Sequence, residues 1–197
     1  MISKFMQIRG DPGAGRTTLI GRLIYEYGGL GLPQLEQFEQ KGAREYTQIA
    51  AFCEKENLMQ HFYTASSQFI VDESKTPHTL VWIVDATVPD GGQASSQKLA
   101  SLISTAYVQP RENLVVLVNK MDLLNWSPSA FGEIAHTFST TGLIAKSKLS
   151  IIPFSVTQGA NITETPREHP WVESIQPSPS FGNCQFVSSK PLMSLLG

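Results

Sequence analysis

The chain has 197 residues, 41% of them hydrophobic, enough to enclose one core of ordinary size. Its 15 Lys and Arg against 17 Asp and Glu leave a net charge of −2, with no basic stripe interleaved with aromatics, which argues against direct RNA binding. No apolar run approaches the ~18–20 residues that a membrane-spanning helix needs. The two cysteines, Cys53 and Cys184, have no zinc-type spacing, and the N-terminus enters a strand almost at once, so free thiols and no cleavable leader are expected, as in a cytoplasmic protein.

In chain order, residues 4–8 (KFMQI) read as a short strand. It runs into Gly10-Asp11-Pro12-Gly13-Ala14-Gly15-Arg16-Thr17, after which residues 17–27 carry Leu19, Ile20, Leu23 and Ile24 at helical spacing. Residues 33–58 are polar and rich in Glu and Gln, which predicts one or two surface helices with a solvated charged face. Phe69-Ile70-Val71-Asp72 is an apolar run ending in an acid, and so few residues separate it from the buried strand Leu80-Val81-Trp82-Ile83-Val84 that no helix fits between them. Gly91-Gly92 breaks the chain before a helix over 94–107, and Leu114-Val115-Val116-Leu117-Val118 reads as a buried parallel strand. Pro128 opens a helix to about 138, a last strand covers 149–154, residues 165–189 form an irregular loop rich in Pro and Ser, and 190–196 make a short final helix. Strands alternating with helices predict a three-layer α/β fold, a mostly parallel sheet with helices on both faces, as a single domain over 1–197.

Two motifs carry chemistry. Residues 10–17 have the GxxxxGK[ST] spacing of a phosphate-binding loop, with Arg16 where Lys is usual. Backbone N–H groups of such a loop cradle phosphates, the helix N-terminus behind them adds partial positive charge, and Thr17 offers its hydroxyl to Mg²⁺. Arg is longer, planar and forked where Lys is a compact point charge, so the substitution favours binding over turnover. The second motif, Asn119-Lys120-Met121-Asp122, follows a buried strand, at the carboxyl end where open α/β sheets bind ligands. Asp122 placed there accepts two hydrogen bonds from guanine's ring N–H and exocyclic amine, a pair that adenine does not offer.

With these motifs in place, the chain resembles the G domain of eukaryotic translation elongation factor 1-alpha and its relatives among termination and ribosome-rescue factors. The likeness is carried by residues 10–18 (GDPGAGRTT), 23–29 (LIYEYGG), 35–39 (LEQFE), 118–122 (VNKMD) and 152–164 (IPFSVTQGANITE). It implies a P-loop G domain that binds GTP and GDP with Mg²⁺, using Asp11, Pro12, Gly13, Ala14, Gly15, Arg16, Thr17 and Thr18 at the phosphates. At the base it implies Asn119, Lys120, Asp122, Ser155 and Val156, the last standing where the family has Gly. The family's RGxT segment and its DxPGH pentapeptide do not occur in the chain, and residues 59–80 leave little room for either. The nearest remnants are Asp72, for the Mg²⁺ site, and His78, for the catalytic histidine. The resemblance covers one domain and implies none of the aminoacyl-tRNA surface that the family builds from two further β-barrel domains.

Three readings follow. One is a guanine-nucleotide-binding protein of the translational GTPase class with weak or absent hydrolysis. Another is a pseudo-GTPase that works by holding a protein partner, ribosome-associated or linked to RNA decay. The third is a degenerate relative with no independent role.

Overall fold

The computed structural model describes residues 1–42, 45–142, 147–175 and 186–197. Six strands, β1 (Ile2–Gly10), β2 (His61–Tyr63), β3 (Ser67–Val71), β4 (Thr79–Asp85), β5 (Asn113–Asn119) and β6 (Lys148–Pro153), form one sheet in the order β2-β3-β1-β4-β5-β6. All neighbours are parallel except β2, which pairs antiparallel with β3 at the edge. Around it lie α1 (Arg16–Glu26), α2 (Leu32–Gln40), α3 (Tyr46–Lys55), α4 (Gly91–Ser104), α5 (Pro128–Thr140) and α6 (Leu192–Leu196), with one 3₁₀ turn at Met121–Leu124.

β4 from Leu80 to Val84 and β5 from Leu114 to Val118 are apolar without a break because both of their faces are covered. On one face Met6, Ile8, Val81, Ile83, Val115, Leu117 and Ile152 pack against Leu19, Leu23 and Ile24 of α1 and Ile49 and Phe52 of α3. On the other, Leu80, Trp82, Val84, Val116 and Val118 meet Leu99 of α4 and Phe131, Ala135 and Phe138 of α5. The Trp82 indole N–H donates to Ser95 Oγ at 2.8 Å, which fixes α4 on the sheet without leaving a buried donor unpaired.

The second face changes character at β1. Gln7 and Arg9 stand beside Leu80 and Trp82 in the register, so a polar pair takes the place of the apolar row. Residues 72–78, which join β3 to β4 with no helix, cross directly over them. Asp72 N donates to Met6 O at 3.0 Å, His78 N donates to Phe5 O at 2.8 Å, and Glu73 Oε2 accepts from Gln7 Nε2 at 3.0 Å and Arg9 Nη2 at 2.7 Å. The crossover thus buries Gln7, which is 1% exposed.

Expected elements and observed ones differ in a few places. The segment 33–58 forms two helices as expected, but they are more than surface helices: Phe38, Ile49, Ala50, Phe52 and Cys53 are buried. The α1–α3 contact is so close that a side chain at Gly21 would overlap the Tyr46 carbonyl, while the Tyr46 hydroxyl donates to Glu26 at 2.7 Å. Gly91 and Gly92 form the first turn of α4 instead of preceding it, with Gly92 facing Ile134 of α5. The edge strand β2 carries only one buried residue, Phe62, stacked 5.4 Å from Phe69. Residues 165–175 hold turns and no helix or strand, and part of the expected loop, residues 176–185 with Cys184, lies outside the described residues. Cys53 is a free thiol, and burial, with the Glu54 charge beside it, pushes its pKa up. Among the described residues no helix is long and apolar enough to cross a membrane.

Candidate functional site

The loop between β1 and α1 opens onto a cleft of about 480 Å³ lined by Gly10, Asp11, Pro12, Gly13, Gly15, Arg16, Thr17, Thr18 and Thr47. Gly13 and Gly15 have φ of 80° and 105°, so the loop needs glycine where an L side chain is strained. At Gly15 a Cβ would also lie 2.5 Å from Asn119 Nδ2. The loop is closed by Ala14 N donating to Asp11 O at 3.1 Å, and α1 starts at Arg16, so its first-turn N–H groups are free donors at the cleft.

Asn119, at the end of β5, joins this loop to the second motif. Its Nδ2 donates to Ala14 O at 2.8 Å, and its Oδ1 accepts from Val156 N at 2.9 Å. Ser155 is fully buried and its Oγ accepts from Gln158 N at 3.2 Å, which shapes the loop after β6. Asn161, also buried, donates from Nδ2 to Pro153 O at 2.8 Å and ties that loop back to its strand. From α1, Arg22 Nη1 donates to Val156 O at 2.6 Å and Thr157 O at 3.1 Å, so one helix carries the phosphate loop at its start and braces the base loop from its second turn. The Asp122 Oδ1 atom is buried with no hydrogen-bond partner.

Lys120 adopts φ 67° and its Nζ is 2.5 Å from Asp85 Oδ2 at the end of β4. Burial raises the Asp85 pKa, but hydrogen bonds from Lys120 and Thr87 outweigh it and hold the carboxyl below its ordinary value. Asp11 is balanced in the same way: burial pushes it up, and Ser95 and the Lys98 ammonium, 2.9 Å from Oδ1, bring it net below its ordinary value. Arg16, half exposed, has its Nη1 3.9 Å from Glu73 Oε1.

Asp72 and His78 do not join this constellation. β3 ends beside Met6, four residues short of Gly10, so Asp72 falls below the loop, and its Oδ1 accepts from Ser74 N at 3.0 Å. His78 Nδ1 accepts from Phe5 N at 2.9 Å and its ring stacks on Phe5, five residues before the loop. Five other residues act at the site without a motif to announce them: Thr47, Glu73, Asp85, Lys98 and Arg22. Thr47, Glu73, Asp85 and Lys98 arrive from elements distant in sequence from their partners, and Arg22, on α1 itself, reaches the distant residues 156 and 157, so only the partnered fold reveals them.

The residues fit a guanine nucleotide at two points: a glycine-shaped phosphate cradle, and an unpartnered buried carboxylate oxygen in the base motif. The fit to Mg²⁺ is narrower. Thr17 presents a hydroxyl at the cleft, whereas Mg²⁺ is usually held by one or two carboxylates together with substrate phosphates. Among the described residues no group of three or more His, Cys, Asp or Glu could hold a metal ion.

No family model matches the chain. Elongation factor 1-alpha of Pyrococcus furiosus is 21% identical over 184 residues, covering 82% of this chain and 43% of that protein. The structure of Sup35 complexed with GMPPNP superposes with a TM-score of 0.63 at 17% identity, covering 99% of this chain and 44% of that one. The Saccharomyces cerevisiae Ski7 GTPase-like domain bound to GTP gives 0.59 at 17%, covering 99% and 49%. The chain therefore spans less than half the length of these proteins. Taken together, the sheet order, the loop geometry and these matches give the chain the fold of a translation-factor G domain, and its sequence resembles that of elongation factor 1-alpha.

Proposed function

We propose that the protein binds GTP and GDP in the cleft between α1 and the loops after β5 and β6, with weak or absent hydrolysis. Residues 11–18 hold the phosphates through backbone N–H groups and Arg16; Asn119, Lys120, Asp122, Ser155 and Val156 hold the guanine; and Thr17 offers its hydroxyl to Mg²⁺. The observation that carries the reading is Asn119, whose amide is hydrogen-bonded to both loops at once, in a register that leaves an Asp122 oxygen without a partner. Weak turnover is supported by the lining of the cleft, which includes neither Asp72 nor His78, and by their engagement elsewhere, Asp72 Oδ1 with Ser74 N and His78 Nδ1 with Phe5 N. The resemblance to translation factors supports a cytoplasmic role beside the translation machinery. Titration with fluorescent GDP and GTP, with and without Mg²⁺, followed by a turnover assay, tests it. Saturable, guanine-selective binding is expected; equal affinity for ATP and GTP contradicts it.

A second reading, a pseudo-GTPase that serves as an interaction module for a protein partner, is favoured by the direct crossover at 72–78. With no helix there, the γ-phosphate lacks the element it usually moves.

A further inference from the structure

Arg16 is the one basic side chain in the loop 10–17, and so the cation that the loop itself offers to a bound phosphate. An acid lies within ion-pair distance of it. Glu73 Oε1 stands 3.9 Å from Arg16 Nη1, and Glu73 Oε2 is anchored by Gln7 Nε2 at 3.0 Å and Arg9 Nη2 at 2.7 Å. The anchors are themselves held: Gln7 is buried, and the Arg9 guanidinium lies 5.2 Å from the centroid of the Tyr107 ring. The crossover from β3 to β4 fixes the backbone of Glu73 by passing straight over β1. A carboxylate is thereby stationed beside the phosphate loop by two donors, on a segment too short to carry it away.

We propose that Glu73 is an internal anion that competes with bound phosphate for Arg16 and lowers the affinity for GTP more than for GDP. The inference rests on the nucleotide-binding reading above. A triphosphate brings more negative charge than a diphosphate for Arg16 to neutralise, so an Arg16 engaged by Glu73 costs GTP more than GDP. Arg16 is half exposed and Glu73 more so, so screening keeps the effect to several-fold and makes it fall as salt rises.

The test is a fluorescent-GDP and fluorescent-GTP titration of the full chain as wild type, Glu73→Gln, Arg16→Ala and the double variant, with thermal unfolding of each. Glu73→Gln is expected to tighten GTP by roughly fivefold and GDP by roughly twofold at low salt, and the gain is expected to vanish in the Arg16→Ala background. Unchanged or weaker GTP binding in a folded Glu73→Gln variant overturns the inference, as does a gain that persists without Arg16. If Glu73→Gln does not fold, Glu73→Asp replaces it, since one methylene less withdraws the charge from Arg16 and the same sign is expected. Wild-type binding that is indifferent to Glu73 overturns this inference alone and leaves the nucleotide reading intact. Binding by neither the wild type nor Glu73→Gln overturns both.

Discussion

Asp122 illustrates how one atom can decide a ligand. A buried carboxylate oxygen without a partner costs stability unless a ligand supplies the donor, and guanine has two donors at the right spacing. Asp122→Asn is expected to weaken guanine nucleotides by about 1.5–3 kcal/mol and to favour xanthine nucleotides, whose extra carbonyl accepts from the new amide. Competition of GDP against xanthosine diphosphate measures it. Asp85 decides a different quantity. Its folded pKa lies below the unfolded one, so it contributes stability that is fully present above the ordinary carboxylate pKa of about 3.9 and is lost as pH falls through the folded value. Urea unfolding followed from pH 6 down to pH 3 is expected to show a steeper acid limb in the wild type than in Asp85→Asn. The motif residues were legible in the sequence because backbone chemistry imposes fixed spacing on them. Glu73 and Lys98 were not, since their partners Arg16 and Asp11 lie far away in the chain and nothing local marks either side.

At the scale of elements, the α1–α3 contact has a role beyond packing. Gly21 lets α3 approach until the Tyr46 carbonyl touches α1, and the next residue, Thr47, is then brought to the wall of the phosphate cleft. Gly21→Ala forces the helices apart. Overpacking of this kind costs about 1–3 kcal/mol, and the cleft loses Thr47 as a wall. A lower melting temperature together with weaker nucleotide binding is the expected result; a variant that loses stability and keeps its affinity shows that Thr47 is not needed at the site. The long strands and α1 were legible from apolar runs and helical spacing. The strand β2 was not, because three residues with one buried side chain carry no period, and the glycines at 91 and 92 looked like a break because the close approaches that require them, Val88 to Gly91 and Ile134 of another helix to Gly92, show only in the fold.

At the scale of the whole molecule, the question is whether nucleotide state changes shape. A ligand shifts an equilibrium only through contacts that differ between its two states. The segment that follows β3 is held to β1 by backbone bonds at Asp72 and His78 and by the Glu73 cluster, all present without nucleotide. GTP and GDP affinities are therefore expected to lie within about tenfold of each other, roughly 1.4 kcal/mol, and turnover on the order of 10⁻⁴ s⁻¹ or slower. Hydrogen exchange compared between the two nucleotide states checks this. Strong GTP-specific protection over residues 59–80 contradicts it.

The crossover at 72–78 also dictates an order of assembly. β3 and β4 flank β1 and are joined by a strap that runs across it, leaving between them a slot one strand wide, about 9.6 Å between the outer strands. β3 and β4 pair with β1 and not with each other, so without β1 the slot leaves two rows of backbone N–H and C=O groups unpaired and the flanking strands have no ladder to hold them together. β1 is therefore expected to be laid down before its two neighbours or together with them. Pulse-labelled hydrogen exchange during refolding is expected to find the amides of Met6 and Ile8 protected no later than those of Phe69 and Val81. The segment that carries the phosphate loop is then the one on which the rest of the sheet is built.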